Sequence, residues 1–183
     1  MKMKIASSIT CLALAACGGG GGSDSDSLLR GCSPIAGGAT QVTSSVSPTC
    51  AGCSVSTPQQ VADGNGATFA TLAMPGGAAG TVTLRSTAQN GVVFSSGSLA
   101  GMVHSISYGT SAGLVIELVT FMGGTEQERF NFNSGAGSAE QDPSAPGRAS
   151  FATSAQYDAV ELSFTRASGS GTVEARVHEF CSN

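Results

Sequence analysis

From residue 69 onward the chain alternates between apolar and polar positions. In Val82-Thr83-Leu84-Arg85, in Val160-Glu161-Leu162-Ser163-Phe164-Thr165 and in Val173-Glu174-Ala175-Arg176-Val177-His178 the apolar residues fall two apart. That is the period of a strand whose successive side chains leave opposite faces of a sheet, so each stretch has one face for a core and one for water. Runs of this kind, separated by Gly-rich or polar turns, predict strands at 69–74, 80–86, 92–96, 102–108, 114–121, 126–133, 148–153, 159–166 and 172–180, with a short earlier one at Gln41–Val46. Residues 114–122 are almost continuously apolar, broken by Glu117, which predicts a central strand covered on both sides. Gly123-Gly124, between Met122 and Thr125, is a hairpin signal leading into a charged strand. No segment after the leader holds an uninterrupted helical period. The fold class that follows is all-β, an antiparallel β-sandwich.

The N-terminus has a different pattern. Lys2 and Lys4 precede an apolar run, 5–16, which ends in Leu14-Ala15-Ala16 before Cys17. This is a secretory signal, too short to span a bilayer, where about 20 residues are needed. Small residues ahead of a cysteine resemble the lipobox of bacterial lipoproteins. The resemblance implies cleavage before Cys17 and attachment to its sulfur of one lipid group that carries two chains of the palmitate kind, a lasting anchor where one chain would bind only marginally. Gly18 rather than Asp follows the cysteine, which by analogy with lipoprotein sorting favours the outer membrane. The expected location is therefore the cell envelope, on its periplasmic or surface side.

Four segments result: a lipoprotein signal peptide at 1–16, a Gly/Ser/Asp tether at 17–27, an irregular Cys-containing lead-in at 28–56 and the β-sandwich at 57–183. The tether holds nothing that a core would bury. The longest loop is 134–147, rich in Gly, Ser, Ala and Pro.

Composition and charge narrow the partners. Lys2 and Lys4 are the only lysines, so the chain from Cys17 onward carries six arginines against twelve acids, a formal charge of −6. Phosphate binding calls for clustered Lys and Arg, and nucleic acid is excluded on that ground. Low charge, small residues and long alternating strands suit lateral packing or strand addition, so self-assembly into a surface filament is the alternative to a binding module.

Of the six cysteines, Cys11 leaves with the signal and Cys17 is taken by lipid. Cys32, Cys50, Cys53 and Cys181 remain, an even set that in an exported chain points to two disulfides with three pairings open. Cys50-Ala51-Gly52-Cys53 has the spacing of thiol redox motifs. Those need a thiolate at a helix N-terminus, and extended chain follows here, so a redox role is the less favoured reading. Gly109-Thr110-Ser111-Ala112-Gly113 matches the nucleophile-elbow pattern, and Ser111, Asp158 and His178 fall in hydrolase order. A strand rather than a helix follows, so a hairpin turn is expected. His104 and His178 sit on the polar side of alternating strands and predict surface or cross-strand packing, and Glu126 and Glu128 read as a solvated face. No catalytic residue is assigned, and the chain is expected not to be an enzyme.

In the turn 63–66, Gly64 and Gly66 permit positive φ, and the oxygens of Asp63, Asn65 and Thr68 could converge on one point. Such a point suits a hard cation or, equally, a turn held by its own hydrogen bonds. Ala62-Asp63-Gly64 with Thr68-Phe69, then 157–162, then the last strand 173–181 together resemble the discoidin-like, galactose-binding-like jelly rolls of bacterial surface proteins, over about 53–181. The resemblance implies a jelly roll whose first and last strands lie side by side, and a structural Ca2+ held by Asp63, Thr68 and Glu179, with Asn65 as a further ligand; no cofactor is required. Phe69 stands where the family often has Trp. Adjacent terminal strands imply Cys53–Cys181 and Cys32–Cys50, with Cys50–Cys181 as the open alternative. The function expected is a lipid-anchored, non-enzymatic binding or adhesion module whose partners are the membrane and a glycan or surface-protein ligand.

Overall fold

The computed structural model describes residues 33–35, 41–108, 113–133 and 147–182. Cys17, the tether, Cys32, Ser111 and the loop 134–146 lie outside them. Within them the strands are β1 (Ser33–Pro34), β2 (Gln41–Val46), β3 (Ser54–Ser56), β4 (Ala70–Met74), β5 (Gly80–Thr87), β6 (Leu99–Tyr108), β7 (Leu114–Met122), β8 (Thr125–Asn133), β9 (Gly147–Ala152), β10 (Ala159–Arg166) and β11 (Val173–Ser182), with one turn of 3-10 helix at Pro58–Ala62.

They form two antiparallel sheets. One has the order β3-β4-β11-β6-β9, with β1 also on β11; the other runs β2-β5-β10-β7-β8. The alternation explains the layers. Leu72, Met74, Ala175 and Val177 of the first sheet are buried together with Val82, Leu84, Leu162, Phe164 and Ile116 of the second, in one core. The polar residues between them, such as Arg85 and Glu161, leave by the outer face. The period of two thus accounts for the two-layered antiparallel β-sandwich, and the strand order is consistent with the jelly-roll type that the resemblance implied. β4 lies beside β11, with Ala70 opposite Val177 and Met74 opposite Val173, so an early strand and the last one are neighbours.

Gly123 and Gly124 take φ of 56° and 82°, and Met122 pairs with Thr125. Two consecutive positive φ values are what a type I′ hairpin demands, and only glycine adopts them without strain. Opposite this turn, the far end of the sandwich is tied by Arg166, 1% exposed, whose guanidinium donates to the carbonyls of Ala78, Gly171 and Pro75.

Four expectations are corrected. Residues 92–96 form no strand; Phe94 makes a single bridge with Tyr157, because Asn90 and Gly91, at φ of 61° and 72°, turn the chain away from β5. His104 and His178 are not surface residues: they are 3% and 7% exposed. The register of β11 against β6 slips between Val177 and Glu179, and a bulge there turns His178, which strict alternation would have sent to water; His104, opposite Val177 and two residues from both Met102 and Ile106, shares the core-facing side of β6 with them. Glu126 and Glu128 do not share one open face, since a second bulge in β8 separates them: Glu126 pairs with Arg129 and Glu128 accepts from Ser154. Last, the disulfides Cys53–Cys181 and Cys32–Cys50 do not form, and neither does Cys50–Cys181. Cys50 is bonded to Cys53, Cα to Cα 5.5 Å, across a turn in which Gly52 takes φ of 75° and the Cys53 N–H donates to the Cys50 carbonyl at 3.2 Å. A tight turn brings these two sulfurs together locally, before any long-range closure is needed. Cys181 is also disulfide-bonded.

Candidate functional site

Two places gather polar chemistry. The first is the turn between the 3-10 helix and β4. Asp63 Oδ1 accepts from the Asn65 N–H at 2.9 Å and Oδ2 from the Thr68 hydroxyl at 2.7 Å; Asn65 Oδ1 accepts from the Ala67 N–H at 3.0 Å. These bonds follow from Asp and Asn mimicking a backbone turn, with Gly64 at φ of 71° closing it. The turn folds over the end of β11. Glu179, fully buried, accepts from the Gly64 N–H through Oε2 at 3.0 Å, while its Oε1 has no hydrogen-bond partner. Burial pushes the Glu179 carboxyl up to about 8; the Gly64 N–H pulls the other way, and the nearby Asp63 charge pushes it further up. His178 beside it packs on the Phe69 ring at 5.4 Å, and its Nδ1 lies 2.9 Å from the Gly66 carbonyl. Burial holds His178 below the usual imidazole range, and burial together with His178 pushes His104 down to about 4.

The structure therefore brings Asp63, Asn65, Thr68 and Glu179 to one turn. Among the described residues no cluster reaches three His, Cys, Asp or Glu side chains. The donor set is two carboxylates with a hydroxyl, an amide oxygen and loop carbonyls. A buried carboxylate oxygen without a donor, beside a second carboxylate, fits a hard cation of the calcium type. Asp63 and Thr68 are meanwhile satisfied by each other, so the turn also closes on its own bonds.

The second place is an open depression of about 310 Å³ on the outer face of the five-stranded sheet, at the end that holds the Gly123-Gly124 turn. Its lining comes from β2 (Gln41, Thr43), β5 (Arg85, Thr87), β7 (Phe121), the turn glycines and the start of β10 (Asp158, Ala159). Strand pairing sets this up: Thr43 lies opposite Arg85 and Gln41 opposite Thr87, so outward side chains of adjacent strands stand side by side. Arg85 lies flat on Phe121, its Cζ 3.5 Å from the ring centroid, and is held there by Glu161 through Nε at 2.9 Å and Nη2 at 2.8 Å. A cation over a ring face is attracted by the ring's quadrupole, which fixes both groups. Asp158 Oδ2 accepts from the Gly123 N–H at 2.8 Å, and Asp158 Oδ1 has no hydrogen-bond partner.

The hairpin glycines and the alternating Arg85 are visible in sequence, yet the depression is not. Thr43, Arg85, Phe121 and Asp158 come from four separate segments, and only strand order makes them neighbours. Asp158, which the sequence order would offer to a hydrolase triad, instead clamps the β7–β8 turn, while His178 lies against Gly66 in the other sheet's loop. Exposed aromatics are the usual sequence sign of sugar stacking, and Phe121, 8% exposed beneath a guanidinium, does not announce itself that way.

No protein-family model matches the chain, and no curated protein matches it. Solved structures similar to it include the family 32 carbohydrate-binding module from C. perfringens NanJ in complex with galactose, at 14% identity and a TM-score of 0.42, covering 78% of this chain and 92% of that one. A glycoside hydrolase is similar at 11% identity and TM-score 0.32, and infectious bursal disease virus Gt strain at 15% and 0.29. The likeness covers 69% and 76% of this chain but spans 24% and 32% of those two.

Proposed function

We propose that this chain is a lipid-anchored, non-enzymatic glycan-binding module of the cell envelope, tethered through acylated Cys17 and binding carbohydrate in the depression over β2, β5, β7 and β10. The observation that carries the reading is Arg85 held over the Phe121 ring by Glu161 on the floor of an open depression. A sugar ring presents hydroxyls that donate and accept, together with apolar C–H faces. The guanidinium N–H groups not used by Glu161 donate, and Thr43, Thr87 and Gln41 donate or accept. Gly123 and Gly124 leave room for a ring to approach the sheet. A non-enzymatic role is supported by the neighbouring carboxylates being engaged: Glu161 holds Arg85 and Asp158 holds Gly123. In this reading the Asp63, Asn65, Thr68 and Glu179 turn takes a structural calcium ion that ties the loop to the last strand.

The test is a glycan array probed with the full chain and with Arg85→Met, a variant that keeps the side chain's length on Phe121. Binding to a defined glycan subset, reduced about tenfold or more in the variant, supports the proposal. Absence of binding to every glycan, or equal binding by the variant, sinks it. Labelled palmitate incorporated by the chain and lost in Cys17→Ala is the expected result for the anchor.

A further inference from the structure

The four sheet edges of the sandwich are not alike. On one flank, edge strand β8 carries Glu126, Glu128 and Arg129, and edge strand β9 carries Arg148. Charges on an edge discourage the approach of another strand. The opposite flank is formed by β2 and β3, and it falls in a stretch, from Gly31 to Ala62, with no charged residue. β3 is three residues long and is followed at once by Thr57-Pro58. β2 is six residues long, without proline, and among the described residues its outer side pairs with nothing.

The backbone groups of β2 have a definite parity. The Ser47 N–H donates to the Thr81 carbonyl at 2.8 Å, in the register that places Ser45 opposite Thr83 and Thr43 opposite Arg85. In an antiparallel pair, hydrogen-bonded and non-hydrogen-bonded positions alternate. The odd-numbered residues therefore turn their N–H and C=O groups toward β5, and Val42, Ser44 and Val46 turn theirs to the open side. The strand is also close to a palindrome: Val42-Thr43-Ser44-Ser45-Val46 reads nearly alike in both directions about Ser44. Val46 is 38% exposed, a large apolar side chain at the rim of a sheet whose Val42 is buried.

We propose that β2 is the joint for a second copy of this chain, pairing antiparallel with its own counterpart about a two-fold axis through Ser44. In that register Ser44 faces the partner subunit's Ser44, and Val42 faces the partner's Val46. Both are pairs whose outward backbone groups match, giving about six main-chain hydrogen bonds. Each exposed Val46 then packs against the partner's Val42. On the outer face Thr43 meets the partner's Ser45, continuing the hydroxyl pairs already present between Ser45 and Thr83 at 2.8 Å and between Thr81 and Thr165 at 3.0 Å. Two copies of an acidic chain meet here where neither has charge to repel the other. A shift by one residue would set outward groups against inward ones, so the parity selects this register over its neighbours. The result is one continuous sheet of both copies. The proposal does not depend on the glycan reading, although a dimer would place two depressions on one face.

The register makes the test specific. Thr43 and the partner's Ser45 form a non-hydrogen-bonded pair, with Cα atoms about 4.5 Å apart, within disulfide reach. Full-length Thr43→Cys and Ser45→Cys chains, mixed and oxidised, are expected to give a dimer whose linked peptide joins the two introduced cysteines. Each variant alone is expected to give no such link beyond the unsubstituted chain. Ser44→Lys sets two ammonium groups face to face on an exposed position, and by light scattering it is expected to remove the dimer while circular dichroism stays unchanged. A monomer at every concentration, equal linking by each single variant, or a dimer that survives Ser44→Lys overturns the proposal.

Discussion

Glu179 is a carboxyl buried at a bulge with one donor for two oxygens, and its consequences are testable through pH. Its folded-state value is raised to about 8, against an ordinary value near 4.3 in the unfolded chain. A raised value means that its stabilising effect is complete below about pH 4 and is lost as pH rises toward 8. His104 works in the other direction: lowered to about 4, it favours the fold above about pH 6.5, an advantage lost as pH falls toward 4. The two slopes oppose each other between those limits, and above pH 6.5 Glu179 acts alone. Melting temperature in chelator is expected to fall from pH 6.5 to 8, to be flat over that range in Glu179→Gln, and to recover in the native chain on adding Ca2+. A native chain with no decline in chelator would contradict this. Arg166 presents the converse case, a buried cation whose donors satisfy three loop carbonyls. Arg166→Met is expected to destabilise by roughly 3 kcal/mol or more, since each buried acceptor left without a donor costs about 1–3 kcal/mol; denaturant titration measures it.

At the scale of elements, central position decides stability. β10 is paired on both sides, to β5 and β7, and β11 to β4 and β6. Amide hydrogen exchange is expected to be slowest in 160–164 and 173–177 and faster in β8 and β9, whose outer sides are unpaired among the described residues. Phe164, fully buried on β10, is expected to cost about 3–5 kcal/mol when changed to Ala. The Cys50–Cys53 bond is the opposite case. Its sequence separation is 3, and in the chain-entropy model so short a loop is worth about 2 kcal/mol. The double change Cys50→Ser, Cys53→Ser is therefore expected to lower stability by about that amount and to leave the fold intact, as far-UV circular dichroism would show. Alternation is readable in these strands wherever pairing is regular. It misleads at 92–96, where Asn90 and Gly91 redirect the chain, and at His178, where the bulge intervenes.

For the whole molecule, the two-sheet sandwich brings Asp63 to Glu179 and Thr43 to Arg85, pairs far apart in sequence, and it leaves one flank charged and the other without charge. If the flanks differ as argued, adding charge to β2 changes association and adding charge to β8 does not. The chain by itself determined the β class, most strand positions, the Gly123-Gly124 hairpin and which turn would gather Asp63, Asn65 and Thr68. Each of these rests on local rules, the period of side-chain direction and the φ values glycine permits. Tertiary structure alone decided the burial of His178 and the meeting of Arg85, Phe121 and Asp158. Those depend on strand order and on one-residue register slips, which leave composition and period unchanged and move a side chain from water to core.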